Sequence, residues 1–243
     1  MNRKRVVGIL GGMGPAAGAD FARLFVAACT EHMQRRGVPV SDQAFPEHWL
    51  AQVPVPDRSA ALGAPGFGGH QPLEPMLQAM GKLAALGAQT VAVACNTAHA
   101  WHGELQQRFP QVEVLHVARE VARALAGRGV RVGLLATEGT YTAGLYDEAL
   151  LRAGMLCHVP DTLEKAELMR GIYDGVKVGN MALARDCFAG VAAALARRHG
   201  LQTLILGCTE IPLALKAVPQ MADLELVDPA ALLARTLAER ALN

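Results

Sequence analysis

Val91-Ala92-Val93-Ala94-Cys95-Asn96-Thr97 is an apolar run, too short for a core helix, that ends in a cysteine and passes into polar residues suited to start one. Leu204-Ile205-Leu206-Gly207-Cys208-Thr209-Glu210 repeats the pattern, and a second pair keeps the same order: Val7-Gly8-Ile9-Leu10-Gly11 is echoed by Val132-Gly133-Leu134-Leu135-Ala136. Further short runs rich in Val, Ile and Leu at 5–10, 90–94, 112–117, 130–136, 203–207 and 224–227 read as strands buried on both faces. Helical patterns lie between them, clearest in Leu73, Met76, Leu77, Met80, Leu83 and Leu86 before Gly87. Strand alternating with helix predicts parallel α/β sheets, here in two similar halves, each with a cysteine at the carboxyl end of a strand, where open α/β sheets bind ligands. Val38 to Gly69, rich in proline and glycine, reads as a long loop.

The composition narrows the function classes. Of 243 residues, 51% are hydrophobic and 19% charged, with a formal net charge of +1. A chain of this length can bury a core without disulfide or metal staples. Its near-neutral balance, with no long basic run, argues against nucleic acid or an anionic membrane and for a small ligand. Five cysteines, without paired C-x-x-C spacing, suggest thiols in a reducing compartment. Asn2-Arg3-Lys4-Arg5 before Val6 to Leu10 mimics a signal peptide, but glycines and Pro15 interrupt the apolar stretch, so the expectation is a first strand and a cytoplasmic protein. No apolar run reaches the ~18 residues of a membrane helix.

Cys95 and Cys208 are the candidate chemistry. Both close an apolar strand, and a helix start behind each would depress a thiol from its free value of about 8.5. Two thiols facing a carbon from opposite sides could remove a proton from one face and return it to the other, the requirement for inverting a stereocentre. Cys29, Cys157 and Cys187 lack that context and read as packing residues. Gly11-Gly12-Met13-Gly14-Pro15-Ala16-Ala17 contains a G-x-G-x-x-A pattern, yet Pro15 and the missing acidic second strand weigh against a dinucleotide; backbone amides offered to a carboxylate fit better. Cys95, His99 and His102 form a poor metal set, and surface or capping histidines are the expectation. Arg58, in rigid Val53-Pro54-Val55-Pro56-Asp57-Arg58, and Lys177, after two glycines in Arg170-Gly171-Ile172-Tyr173-Asp174-Gly175-Val176-Lys177, are candidate anion anchors.

Taken together, Gly8 to Pro15, Pro56-Asp57-Arg58, Cys95-Asn96-Thr97-Ala98-His99, Met169 to Tyr173 with Lys177, and Gly207-Cys208-Thr209-Glu210 resemble the cofactor-independent aspartate racemases of the aspartate/glutamate racemase superfamily, in order and almost end to end. The resemblance implies two α/β subdomains related by a pseudo-two-fold axis, residues 1–116 plus 218–243 with Cys95 and residues 117–217 with Cys208, and an active site in the cleft between them. It implies interconversion of L- and D-aspartate with Cys95 and Cys208 as the two acid/base groups. Met13, Gln52, Arg58, Asn96, Thr97, Thr137, Lys177 and Thr209 would meet the substrate, with no pyridoxal phosphate, metal or other cofactor. It also implies a homodimer and a small dicarboxylic amino acid as partner. Relatives with one of the two cysteines do other chemistry, such as decarboxylation; both are present here. The Pro56-Asp57-Arg58 loop favours aspartate, with glutamate or a broad amino-acid set as the alternative and a two-lobed binding protein without turnover as the rival from another class. Extra length around Pro39 to Trp49 departs from the family pattern.

Overall fold

A computed structural model describes residues 4–63, 71–128, 131–216 and 218–243. Asn2 and Arg3, the glycine-rich end of the 38–69 loop and Val130 of the fourth run lie outside those residues. The chain divides into two compact units, Met1–Glu120 with Ala230–Asn243, and Val121–Pro229.

In the first unit, β1 (Val7–Gly11), β2 (His48–Gln52), β3 (Thr90–Val93) and β4 (Glu113–Val114) form a parallel sheet in the order β2-β1-β3-β4. Its helices are α1 (Pro15–Arg35), α2 (Arg58–Gly63), α3 (Leu73–Ala85), α4 (His102–Arg108) and α5 (Val117–Leu125), the unit boundary falling inside the last. Pro15 occupies the first turn of α1, where its missing N–H costs nothing, and Ala17, Phe21, Phe25, Ala28 and Cys29 make the buried stripe that faces the core. Met76, Ala79, Met80 and Leu83 do the same for α3, and pack with Leu10, Val91 and Val93.

The second unit repeats the plan. β5 (Arg131–Ala136), β6 (Leu156–His158), β7 (Thr203–Gly207) and β8 (Glu225–Val227) form a parallel sheet in the order β6-β5-β7-β8. Around it stand α6 (Glu138–Thr142), α7 (Asp147–Arg152), α8 (Thr162–Arg170), α9 (Met181–His199) and α10 (Ile211–Leu215). Asp161 and Glu164 close a reciprocal capping box at the start of α8, and Arg198 on α9 pairs with Glu164 at 2.5 Å, which holds that carboxyl below its usual range. The last helix, α11 (Pro229–Leu242), belongs to the first unit: Arg5 N donates to Ala241 O at 2.9 Å, and Thr236 Oγ1 to Glu120 Oε2 at 2.6 Å.

The repeat extends to a polar detail that the apolar runs do not reveal. Thr90 of β3 donates its hydroxyl to Glu113 of β4 at 3.4 Å, and Thr203 of β7 donates to Glu225 of β8 at 3.0 Å. Each glutamate is also met by an arginine, Arg240 for Glu113 and Arg128 for Glu225.

Three features depart from the sequence reading. β2 lies inside the stretch read as loop, and β6 is likewise unannounced; both are edge strands with half-exposed residues, so neither writes a continuous apolar run. The return to the first unit comes at Ala230 rather than at 218, because β8 pairs with β7 and keeps 225–227 in the second sheet. The polar residues after Cys95 and Cys208 start short turns, Thr97–Trp101 as a 3-10 helix and the five-residue α10, and neither Asn96 nor Glu210 caps with its side chain. Turns this short carry only a small dipole.

One local contact can be tested for sign. A Cβ on Gly18, inside α1, would lie 2.3 Å from Oε1 of Gln52, whose amide donates to Pro15 O at 2.9 Å. Glycine to alanine in a helix interior ordinarily stabilises by about 1 kcal/mol. Gly18→Ala is therefore expected to give no gain, or a loss, in urea unfolding of the native protein, and to recover the gain in a Gln52→Ala background. An equal gain in both backgrounds overturns the contact's importance.

Candidate active site

Parallel pairing sets the first half of the candidate site. β1 and β3 are neighbours, with Leu10 beside Val93, and Ala94 N donates to Leu10 O at 2.8 Å. The turn after β1 and the cysteine after β3 therefore emerge at one edge. The chain turns from β2 on one side of β1 to β3 on the other, so this edge is the switch point where such sheets open a crevice. Cys95 is 6% exposed there, with Asn96 and Thr97 buried behind it.

The glycine turn is walled by β2 and the segment after it. Gly12, at φ +94°, approaches Val53 so closely that a Cβ would lie 2.3 Å from its carbonyl oxygen. Gln52 fills the space left by Gly11 and Gly18. Arg58 at the start of α2 donates to Met13 O, Val55 O and Pro56 O, each at 3.0 Å, while Asp57 Oδ1 accepts from Ala60 N at 2.9 Å. The structure thus assigns Arg58 and Gln52 definite structural bonds: they tie 53–58 to the glycine turn. Met13 has a buried side chain, so its backbone is what it offers at this edge.

The second half follows the same geometry. Ala136 of β5 lies beside Gly207 of β7, which brings Thr137 and Cys208 to one edge. Thr137 caps α6, its Oγ1 accepting from Thr140 N at 3.3 Å and sharing a hydrogen bond with Thr140 Oγ1 at 3.0 Å. Cys208, 5% exposed, donates its S–H to Oε2 of the buried Glu210 at 3.0 Å, and Thr209 Oγ1 donates to the same oxygen at 3.1 Å. The sequence places Glu210 at a helix start and in the Gly207-Cys208-Thr209-Glu210 motif, but gives it no role toward the thiol. Lys177 sits apart from the strand ends, in a 3-10 turn between α8 and α9.

The other thiols differ. Burial pushes Cys29 and Cys157 up to about 12, and Cys187 is raised by burial and by the S–H hydrogen bond it donates to Glu167 at 3.5 Å.

His99, expected at the surface or in a cap, is buried, with Nε2 3.3 Å from Val93 O. Its ring lies 5.5 Å from that of His116 and 6.2 Å from that of His102, and the latter two are 4.7 Å apart. Burial first, then the neighbouring imidazoles, hold His99 well below its ordinary value; His116 is lowered to about 4 by burial, His102 and Arg119. Among the described residues no group of three His, Cys, Asp or Glu is arranged to hold a metal ion, and no helix is long and apolar enough to cross a membrane.

The family model for Asp/Glu/Hydantoin racemase matches residues 10–237. The chain belongs to this family. Among solved relatives, the Picrophilus torridus aspartate racemase superposes with a TM-score of 0.78 at 26% identity, covering 98% of this chain and 94% of that one. A glutamate racemase of Pseudomonas paraeruginosa is 33% identical over 167 residues, 65% of this chain and 59% of that protein. A broad specificity amino-acid racemase of Bacillus subtilis is 25% identical over 151 residues, 60% of each chain. The chain thus spans about three-fifths of the length of these sequence-matched racemases. The twin parallel sheets of this family member are the racemase fold.

The histidine cluster makes stability depend on pH. Unfolded, His116 takes up a proton near 6.5; folded, only near 4, so the unfolded state holds the extra proton between those values. Stability is therefore expected to fall as pH drops from about 6.5 towards 5, and His116→Gln to flatten that slope in urea midpoints. An unchanged slope in the variant removes His116 as its source.

Proposed function

We propose that this racemase-family chain interconverts L- and D-aspartate by two-base proton transfer between Cys95 and Cys208. The observation that carries the reading is the matched pair of thiols, each nearly buried, each one or two residues past the carboxyl end of the second central strand of its own sheet, β3 or β7. One thiolate removes the α-proton and the other thiol protonates the opposite face. Amides of the glycine turn, with Asn96, Thr97 and Thr209, hold the α-carboxylate and amino group and stabilise the carbanion-like transition state. Arg58 and Lys177 meet the carboxylates, Gln52 and Thr137 line the pocket, and no pyridoxal phosphate, metal or nucleotide takes part. A homodimer and a cytoplasmic location complete the proposal.

The carboxylate of Glu210 gives Cys208 a proton acceptor that the matching position beside Cys95, Thr97, does not supply. Aspartate is favoured by the solved aspartate racemase that superposes over nearly the whole chain. Glutamate is the second reading, supported by the glutamate racemases among the sequence relatives.

In deuterium oxide, enzyme stripped of cofactors is expected to exchange the α-proton of either aspartate enantiomer; no exchange with either sinks the proposal, and exchange confined to glutamate transfers it to the second reading. Cys95→Ala and Cys208→Ala are each expected to lower racemisation by about 10²–10⁴-fold. Wild-type rates in either variant exclude the two-thiol mechanism. Glu210→Gln is expected to lower kcat/KM about tenfold or more, equally from both enantiomers because their free energies are equal; a wild-type value would detach Glu210 from the Cys208 proton.

A further inference from the structure

Lys177 is held in a way that the strand-end geometry does not explain. The residues Gly171–Gly175 form a π-helical turn after α8, followed by the 3-10 turn Val176–Val178. Wide turns of this kind recur at functional sites. A Cβ at Gly171 would lie 2.5 Å from the ring of Phe188, and one at Gly175 would lie 2.9 Å from Cβ of Ala184, so the two glycines let the turn sit directly on α9. Ile172 is buried in the core cluster that also contains Cys208, and Tyr173 and Val176 pack against that cluster. Seated this way, the half-buried Tyr173 ring carries the Lys177 ammonium over its face, with Nζ 3.9 Å from the ring centroid.

The nature of that contact matters. The described ion pairs of this unit join Arg128 to Glu225, Arg152 to Glu148, Arg170 to Glu167, Arg198 to Asp161 and Glu164, and Lys216 to Asp228; none includes Lys177. An ammonium over a ring face is oriented by the quadrupole of the ring, while its N–H donors stay available to an anion. A lysine otherwise has a flexible stem, whose rotamers a ligand must order on binding at an entropic cost. A ring that holds the ammonium beforehand lowers that cost and favours a substrate with a second carboxylate.

We propose that Tyr173 is a positioning residue that pre-sets Lys177 for the side-chain carboxylate of a dicarboxylic amino acid, and so helps determine substrate specificity. The inference rests on the assignment of Lys177 as a substrate anchor in the proposed function.

The test combines kinetics with a spectroscopic readout. In Tyr173→Leu and Tyr173→Met, KM for aspartate is expected to rise about fivefold with kcat little changed, whereas Tyr173→Phe, which keeps the ring face, stays near wild type. Lys177→Met should raise KM at least as much, and adding Tyr173→Met to it should cost nothing further. Independently of turnover, the ε-methylene protons of Lys177 should show an upfield ring-current shift in NMR spectra of the wild type and of Tyr173→Phe, lost in Tyr173→Met. An unchanged KM in both ring-less variants, or the same rise in a Lys177→Met background, overturns the positioning role while racemisation by the wild type still stands. A wild type that neither racemises nor binds aspartate overturns the substrate reading and this role with it, even where the ring-current shift is present.

Discussion

The parallel pairing of β1 with β3, and of β5 with β7, is the constraint from which the rest of the molecule follows. Parallel neighbours end at the same edge, so a turn that follows one strand and a thiol that follows the other are neighbours by construction. An antiparallel pairing would send them to opposite edges. The hydrogen bond from Ala94 N to Leu10 O carries the pairing past the end of β3 and sets where Cys95 leaves the sheet. Everything local to that edge is then arranged to keep its backbone still. Gly12 lets Val53 come close, Gln52 plugs the space above Gly11 and Gly18, and Arg58 donates to three carbonyls.

This economy of charge also separates the cysteines. Burial pushes the Cys29 thiol up to about 12, and burial with the nearby Asp147 carboxylate does the same to Cys157, so both stay protonated. Cys208 is buried like Cys29 but donates to a carboxylate oxygen that also receives the Thr209 hydroxyl. Cys187 also donates to a carboxylate, that of Glu167, so what sets Cys208 apart is its place at the carboxyl end of a central strand together with that acceptor.

How much could be read beforehand follows from what each residue's environment demands of its side chain. Central strands such as β3 and β7 are covered on both faces, so they must be apolar throughout and are visible as runs; α3 shows its period because one stripe is buried and the other wet. Edge strands are free of that demand, and β2, with Trp49 and Leu50 half exposed, hides among prolines. The cysteines were legible as a pair because the repeat preserves their place in it. Glu210 and the His99, His102 and His116 cluster were not, since their significance lies in distances between side chains that spacing along the chain does not encode. The matching Thr90–Glu113 and Thr203–Glu225 bonds escaped for the same reason, although they mark the two halves as kin as clearly as the apolar runs do.

The last helix carries a consequence for how the molecule is made. Leu233, Ala234, Leu237, Ala238 and Ala241 of α11 are buried, and Arg240 reaches Glu113 while Arg5 bonds to Ala241, so the first unit is sealed by a segment synthesised after the whole of the second. On a ribosome, where domains ordinarily mature in the order in which they emerge, the unit that begins first is here the one that must finish last. The uninterrupted second unit can close on its own while the apolar face awaiting α11 stays open, which makes that waiting interval the stretch of biosynthesis most exposed to wrong association.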